Sequence, residues 1–178
     1  MSRIQDLIDR QANGEVLQFA FFYGKESDYP CFSQFHECTI VDNDTTYRTA
    51  EQYMMAAKAR YFNDDVSHTK IMRSLSPSHA KALGRAVEGY VDAEWDAVRY
   101  DIVLAGNILK FTQNEDLKNI LLATGDKIIV EASPTDDIWG IALDEDVDAD
   151  IIQDVSKWKG QNLLGFVLMD VRDYIRSL

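Results

Sequence analysis

The chain has 178 residues, of which 18 are basic and 30 acidic, for a formal net charge of −12. Apolar residues make up 46% and aromatics 11%, so wholesale disorder is excluded and one domain with a sizeable core is expected. Such a charge repels nucleic acid at long range and argues against a scanning DNA binder, while leaving room for a local basic pocket.

Ser2-Arg3-Ile4-Gln5 fits a capping box, Ile4, Leu7 and Ile8 share one helical face, and Gly14 ends that helix. Val16 to Tyr23 is an aromatic-rich strand candidate, and Glu37 to Val41 a second. Asp42-Asn43-Asp44 is turn-forming, with a short return through Tyr47. Thr49-Ala50-Glu51-Gln52 reads as a helix cap, and good helix formers follow through Phe62. Ser76-Pro77 opens another helix, with proline where its missing N–H does no harm. Trp95, Val98, Ile102, Ala105 and Leu109 step three and four residues apart, as on a long amphipathic helix. Asn114 is expected to cap a helix bearing Leu117, Ile120 and Leu121, which Gly125 ends. Lys127 to Ala132 reads as a strand with Ile128-Ile129-Val130 buried, and Leu164, Leu168, Val171 and Ile175 mark a C-terminal helix. The expected fold is α+β, mostly helical with a small β-sheet: an N-terminal helix over 1–15 and a main domain over 16–178.

Common site motifs are absent. There is no GxGxxG, GxxxxGK[ST] or HExxH, and His36, His68 and His79 lack metal-ligand spacing, so no metal or cofactor is expected. His36 near Cys38 reads either as a nucleophile–base pair or as two packed side chains. Five acids stand between Asp144 and Asp150. A calcium loop counted from Asp144 would need glycine and glutamate where Ala149 and Val155 stand, so a solvated acidic loop is expected. Cys31 and Cys38 are too few for a disulfide framework. No run of about 18 apolar residues marks a membrane span, and the first residues lack a signal-peptide layout. A cytoplasmic location is expected.

Three segments carry candidate chemistry. Glu51 and Lys58 lie two helical turns apart, so both project from one face, with Tyr53, Met54 and Met55 between them. A lysine among apolar and aromatic groups can lose proton affinity and become a nucleophile, although an exposed ion pair has the same spacing. Val130 to Gly140 runs from a strand into a turn with Asp136, Asp137, Trp139 and Gly140. That set suits a sugar or base pocket, or equally a capped turn over a core tryptophan. Gly160 and Asn162 precede the last helix, where free N–H groups could meet a phosphate or Asn162 could simply cap.

Together these segments resemble the NADAR family of YbiA-like proteins, in order from about Phe19 to the C-terminus. The matching pieces are Phe22-Tyr23-Gly24, Phe32 to Phe35, Thr49 to Ala59, Leu83-Gly84-Arg85, Trp95, Lys110 to Asn114, Thr124-Gly125-Asp126, Val130 to Gly140 and Gly160 to Gly165. Gln34 stands where many members carry asparagine, and the acidic 144–150 segment looks like a local elaboration. The resemblance implies an N-glycosidase acting on a ribosyl–base bond. Its substrates would be ADP-ribose on guanine, in nucleic acid or nucleotide, or the phosphorylated ribosylaminopyrimidines of riboflavin synthesis. A non-catalytic ADP-ribose or NAD-binding module is the alternative. Carried over by motif, the catalytic candidates are Glu51 as general acid or base, Asp136 on ribose hydroxyls or water, Trp95 in the pocket and Lys58 as a Schiff-base nucleophile. Substrate-binding candidates are Phe22, Tyr23, Gly24, Ser33, Trp139 and Gly140, with Arg85, Lys110 and Asn162 for phosphate.

Overall fold

A computed structural model describes residues 2–178. Helix α1, Arg3–Ala12, begins where the Ser2 hydroxyl accepts the Gln5 N–H at 3.2 Å. It buries Leu7 and ties Arg3 to Asp170 at 2.8 Å. Strand β1 is Phe19–Phe22, shorter than the Val16–Tyr23 expectation, because Val16 is exposed and Gly24, at φ +68°, turns the chain away. Strands β2, Glu37–Asp42, and β3, Thr45–Thr49, form the expected hairpin, with Asn43 left-handed in its turn.

Thr49 ends β3 and starts α2, Ala50–Tyr61, its hydroxyl accepting the Gln52 N–H at 3.0 Å. The Gln52 side chain accepts the Arg48 N–H and donates to the Ile71 carbonyl. Helix α2 is thereby wedged among α3 (Asp65–Met72), α4 (Pro77–Arg85) and α5 (Asp92–Gln113). It buries residues around most of its circumference, Glu51 and Lys58 included. Helix α3 has no counterpart in the sequence expectation. Asp64 builds it, one carboxylate oxygen taking the Ser67 N–H and the other the Glu88 N–H.

After α6, Glu115–Ala123, comes β4, Ile128–Glu131, which pairs parallel with β1 in the register Phe22 to Glu131. The expected small sheet is therefore two separate pairs, one parallel and one antiparallel. Asn114 precedes α6 as expected but does not cap it. Its amide donates backward to the carbonyls of Lys110 and Thr39. Helix α7, Leu163–Arg176, lies against β4. A side chain at Gly165 would collide with the Ile129 carbonyl, so glycine sets how closely they approach. Phe22, Phe32, Phe111, Ile129 and Leu164 meet in the core between these layers, each such burial being worth about 1.5–3 kcal/mol. The acidic segment folds on itself: Asp144 accepts the N–H groups of Asp146 and Val147, and Asp148 accepts that of Asp144.

Candidate active site

The buried face of α2 opens on a cavity of about 270 Å³. Glu51, Met54, Met55 and Lys58 line it at helical spacing. Helix α4 adds Lys81 and Arg85, four residues apart; α5 adds Trp95; the chain before β2 adds Ser33, Gln34 and Phe35. The end of β4 and the turn after it add Glu131, Asp136, Ile138 and Trp139. Seven sequence-predicted residues thus meet around one cavity: Glu51, Lys58, Trp95, Asp136, Ser33, Arg85 and Trp139. Two other hollows, of about 340 and 390 Å³, are lined by none of the predicted residues.

Glu51 is 4% exposed, and its Oε1 has no hydrogen-bond partner among the described residues. Burial raises its carboxyl to about 7, Asp136 adding to the rise while Lys81 and Arg85 oppose it. The group is therefore divided between acid and base near neutrality. Asp136 commits Oδ1 to the N–H groups of Ile138 and Trp139, at 3.0 and 2.7 Å, which fixes the turn and leaves the second oxygen uncommitted. Lys58 is buried without a carboxylate partner among the described residues. Its ammonium stands 3.9 Å from the Tyr90 ring centroid and 5.6 Å from that of Trp95. Burial lowers its pKa, so the ion-pair alternative drops out and the apolar, aromatic setting remains.

The other predicted residues do not line the cavity. Phe22 is core, edge-on to Phe32. Tyr23 is exposed, and Gly24 makes the turn after β1. Lys110 is wholly enclosed and donates to the Ser33 carbonyl at 2.9 Å, so it shapes the Ser33–Phe35 segment rather than meeting a phosphate. Gly140 is buried, and a Cβ there would sit 2.8 Å from the Glu131 carbonyl. Asn162 corrects the phosphate reading most directly. The N–H groups of Asn162, Leu163 and Leu164 go to the carbonyls of Gly140, Ile138 and Trp139, so most donors at the start of α7 are already spent inside the protein. The Asn162 side chain does not cap α7 either. It accepts the Glu131 N–H at 3.0 Å and donates to the Ile129 carbonyl at 2.9 Å, as a neighbouring strand would.

Sequence reasoning missed Glu131, Lys81 and Tyr90. Glu131 was legible only as the polar end of a buried strand. Lys81 was one turn before Arg85, and that spacing was its signal. Three of the five buried side-chain atoms without a partner among the described residues belong to this cavity's lining: Gln34 Nε2, Glu51 Oε1 and Glu131 Oε2. Orphaned polar atoms are few in folded proteins, and their concentration here marks a surface shaped for something other than the protein.

Comparison with known proteins identifies the family and the fold. The model of the NADAR domain matches residues 21–176. An N-glycosidase of Acanthamoeba polyphaga mimivirus is 43% identical over 167 residues, covering 89% of this chain and 97% of the relative. One from Nostoc punctiforme is 34% identical over 158 residues, covering 89% and 93%. Among solved structures, the NMR structure of the Escherichia coli protein YbiA superposes with a TM-score of 0.73 at 29% identity, over 90% of this chain and 86% of that one.

Proposed function

The chain belongs to the NADAR family, and from that premise we propose that it is an N-glycosidase, a hydrolase that cleaves a ribosyl–base bond in the cavity beneath α2. The carrying observation is Glu51: a buried carboxyl, unpartnered at Oε1, raised to about 7 and facing a cavity that also holds Asp136 and Lys58. Breaking the C1–N bond builds positive character on the ribose, and an ionised carboxylate in the cavity stabilises such charge. Glu51 exchanges a proton with the reacting groups. The free oxygen of Asp136 meets ribose hydroxyls or the attacking water. Trp95 and Trp139 wall the ring and base, and Arg85 supplies positive charge for phosphate. Lys58, with its proton affinity lowered, supplies the amine for a Schiff base to an opened ribose, an alternative to direct attack by water.

Two substrate classes suit this site: ADP-ribose linked to guanine, and phosphorylated ribosylaminopyrimidines. We favour the first, from the family's link to NAD and ADP-ribose chemistry, and within it a nucleotide or short single strand, because the charge of −12 disfavours long duplexes. The test incubates the protein with an ADP-ribosylated guanine oligonucleotide and, separately, with a ribosylaminouracil phosphate, following the freed base by mass spectrometry. Turnover of the first alone makes this a de-ADP-ribosylating enzyme; of the second alone, a metabolite-clearing glycosidase. Glu51→Gln is expected to lose at least about 100-fold in kcat while still binding substrate. ADP-ribose binding without turnover of either compound would instead make the chain a binding module.

A further inference from the structure

Glu131 stands at the carboxyl end of a parallel strand, held from several sides. Its N–H goes to Asn162 Oδ1, its carbonyl accepts the Ile141 N–H at 3.0 Å, and its strand partner is Phe22. The absence of a side chain at Gly140 leaves room for that carbonyl. So firmly fixed a backbone nonetheless delivers an unsatisfied side chain. Oε2 is shut away from solvent with no hydrogen-bond partner among the described residues, and the carboxyl lines the same cavity as Glu51. An isolated buried carboxylate is costly, and two in one cavity cannot both ionise cheaply. A structural acid would be paired; this one is held rigid and left open.

We propose that Glu131 is a second catalytic carboxyl of this site, the acid that delivers a proton to the leaving nitrogen while Glu51 serves as the base. The assignment rests on the N-glycosidase reading. The C1–N bond breaks with its electron pair passing to nitrogen, which takes the proton of Glu131. Water adds its oxygen to C1 and gives a proton to Glu51. The products are the free base and a ribose hydroxyl at C1, and the pair ends with the one proton it began with. Burial raises Glu131 to about 8, so this carboxyl holds a proton near neutrality, as a general acid must. The charged groups facing it are Asp136 from the following turn and Glu51 from α2, which raise it further, and Lys81 from α4, which opposes them. Arg85, also on α4, and Lys58, on α2, line the same cavity.

The experiment compares wild type, Glu131→Gln and Glu51→Gln in kcat, KM and the pH profile of kcat. Glu131→Gln is expected to keep KM within about threefold, lose at least about 100-fold in kcat and lose the alkaline limb of the profile. Glu51→Gln loses the acid limb instead. A structural role for Glu131 would lower the melting temperature and leave the profile's shape alone. If Glu131→Gln does not fold, Glu131→Asp replaces it, with kcat reduced and the alkaline limb retained. An active wild type whose Glu131 variants keep kcat and both limbs overturns this inference alone. A wild type that turns over neither ribosyl substrate overturns the functional reading, and this assignment with it.

Discussion

Glu51 illustrates how a residue can weaken a fold while equipping a site. Its folded carboxyl sits near 7 against an ordinary value of 4.5. Between those values the native state holds a proton that the unfolded chain releases. Stability therefore falls as pH rises from about 4.5 through about 7, and stays lowered above it. Glu51→Gln removes that loss without changing shape. Its melting temperature is expected to match wild type near pH 4 and to exceed it by an amount equivalent to about 1–3 kcal/mol at pH 8. Thermal denaturation at the two pH values checks this, and equal gaps at both would show that Glu51 is not held protonated by burial. Lys58 shifts in the opposite sense for the same cause, since burial disfavours its charged form.

At the scale of elements, one side chain joins the start of α7 to the edge of β4. Asn162 takes the left-handed conformation, φ 52°, and spends its amide on the edge of β4. Asn162→Ala removes both bonds, strands buried backbone groups and places alanine at positive φ. A loss of about 2–4 kcal/mol is expected by chemical denaturation. Asn162→Gly keeps the conformation easy and should lose measurably less. If the two variants are equally stable, backbone strain contributes nothing at this position. Asn162 also shows where sequence reading stopped. Its place before α7 was legible from spacing, but its partners lie more than thirty residues earlier on β4, and no local pattern encodes such a pairing. The elements with local signals were legible: the Ser2, Thr49 and Ser76 caps, the Asn43 turn, and the existence of α5, although its buried face runs through Trp95, Val103, Gly106, Asn107, Lys110 and Phe111, about one residue on from the predicted stripe, and leaves Ala105 exposed. Helix α3 was not, because Asp64 caps it while also bonding Glu88, and its short run has no marked apolar face. For the site, Glu51 and Lys58 were legible because one helix places them on one face. Glu131 and Lys81 become visible only when β4 and α4 close on α2.

Across the whole molecule, the charge of −12 sets how an anionic substrate arrives. Lys81 and Arg85 at the cavity attract a phosphate only within a short range, whereas the acidic surface repels from further away. At about 0.01 M salt the screening length is about 30 Å, and repulsion from the whole surface is felt; at about 0.15 M it is about 8 Å, and the local cations decide. For an oligonucleotide substrate kcat/KM is therefore expected to rise several-fold between those two conditions, the reverse of the trend for a basic nucleic-acid binder. A mononucleotide substrate carries less charge and should respond less. Glu145, Asp146 and Asp150 lie exposed in the acidic segment, and their side chains make no hydrogen bonds to the described residues. Replacing them with Gln, Asn and Asn removes long-range charge without disturbing the Asp144 and Asp148 turn. That triple variant should raise the low-salt rate and flatten the salt dependence, leaving kcat unchanged. A wild-type rate that falls steadily with salt would mean that the cations at the cavity, and not the acidic surface, govern capture.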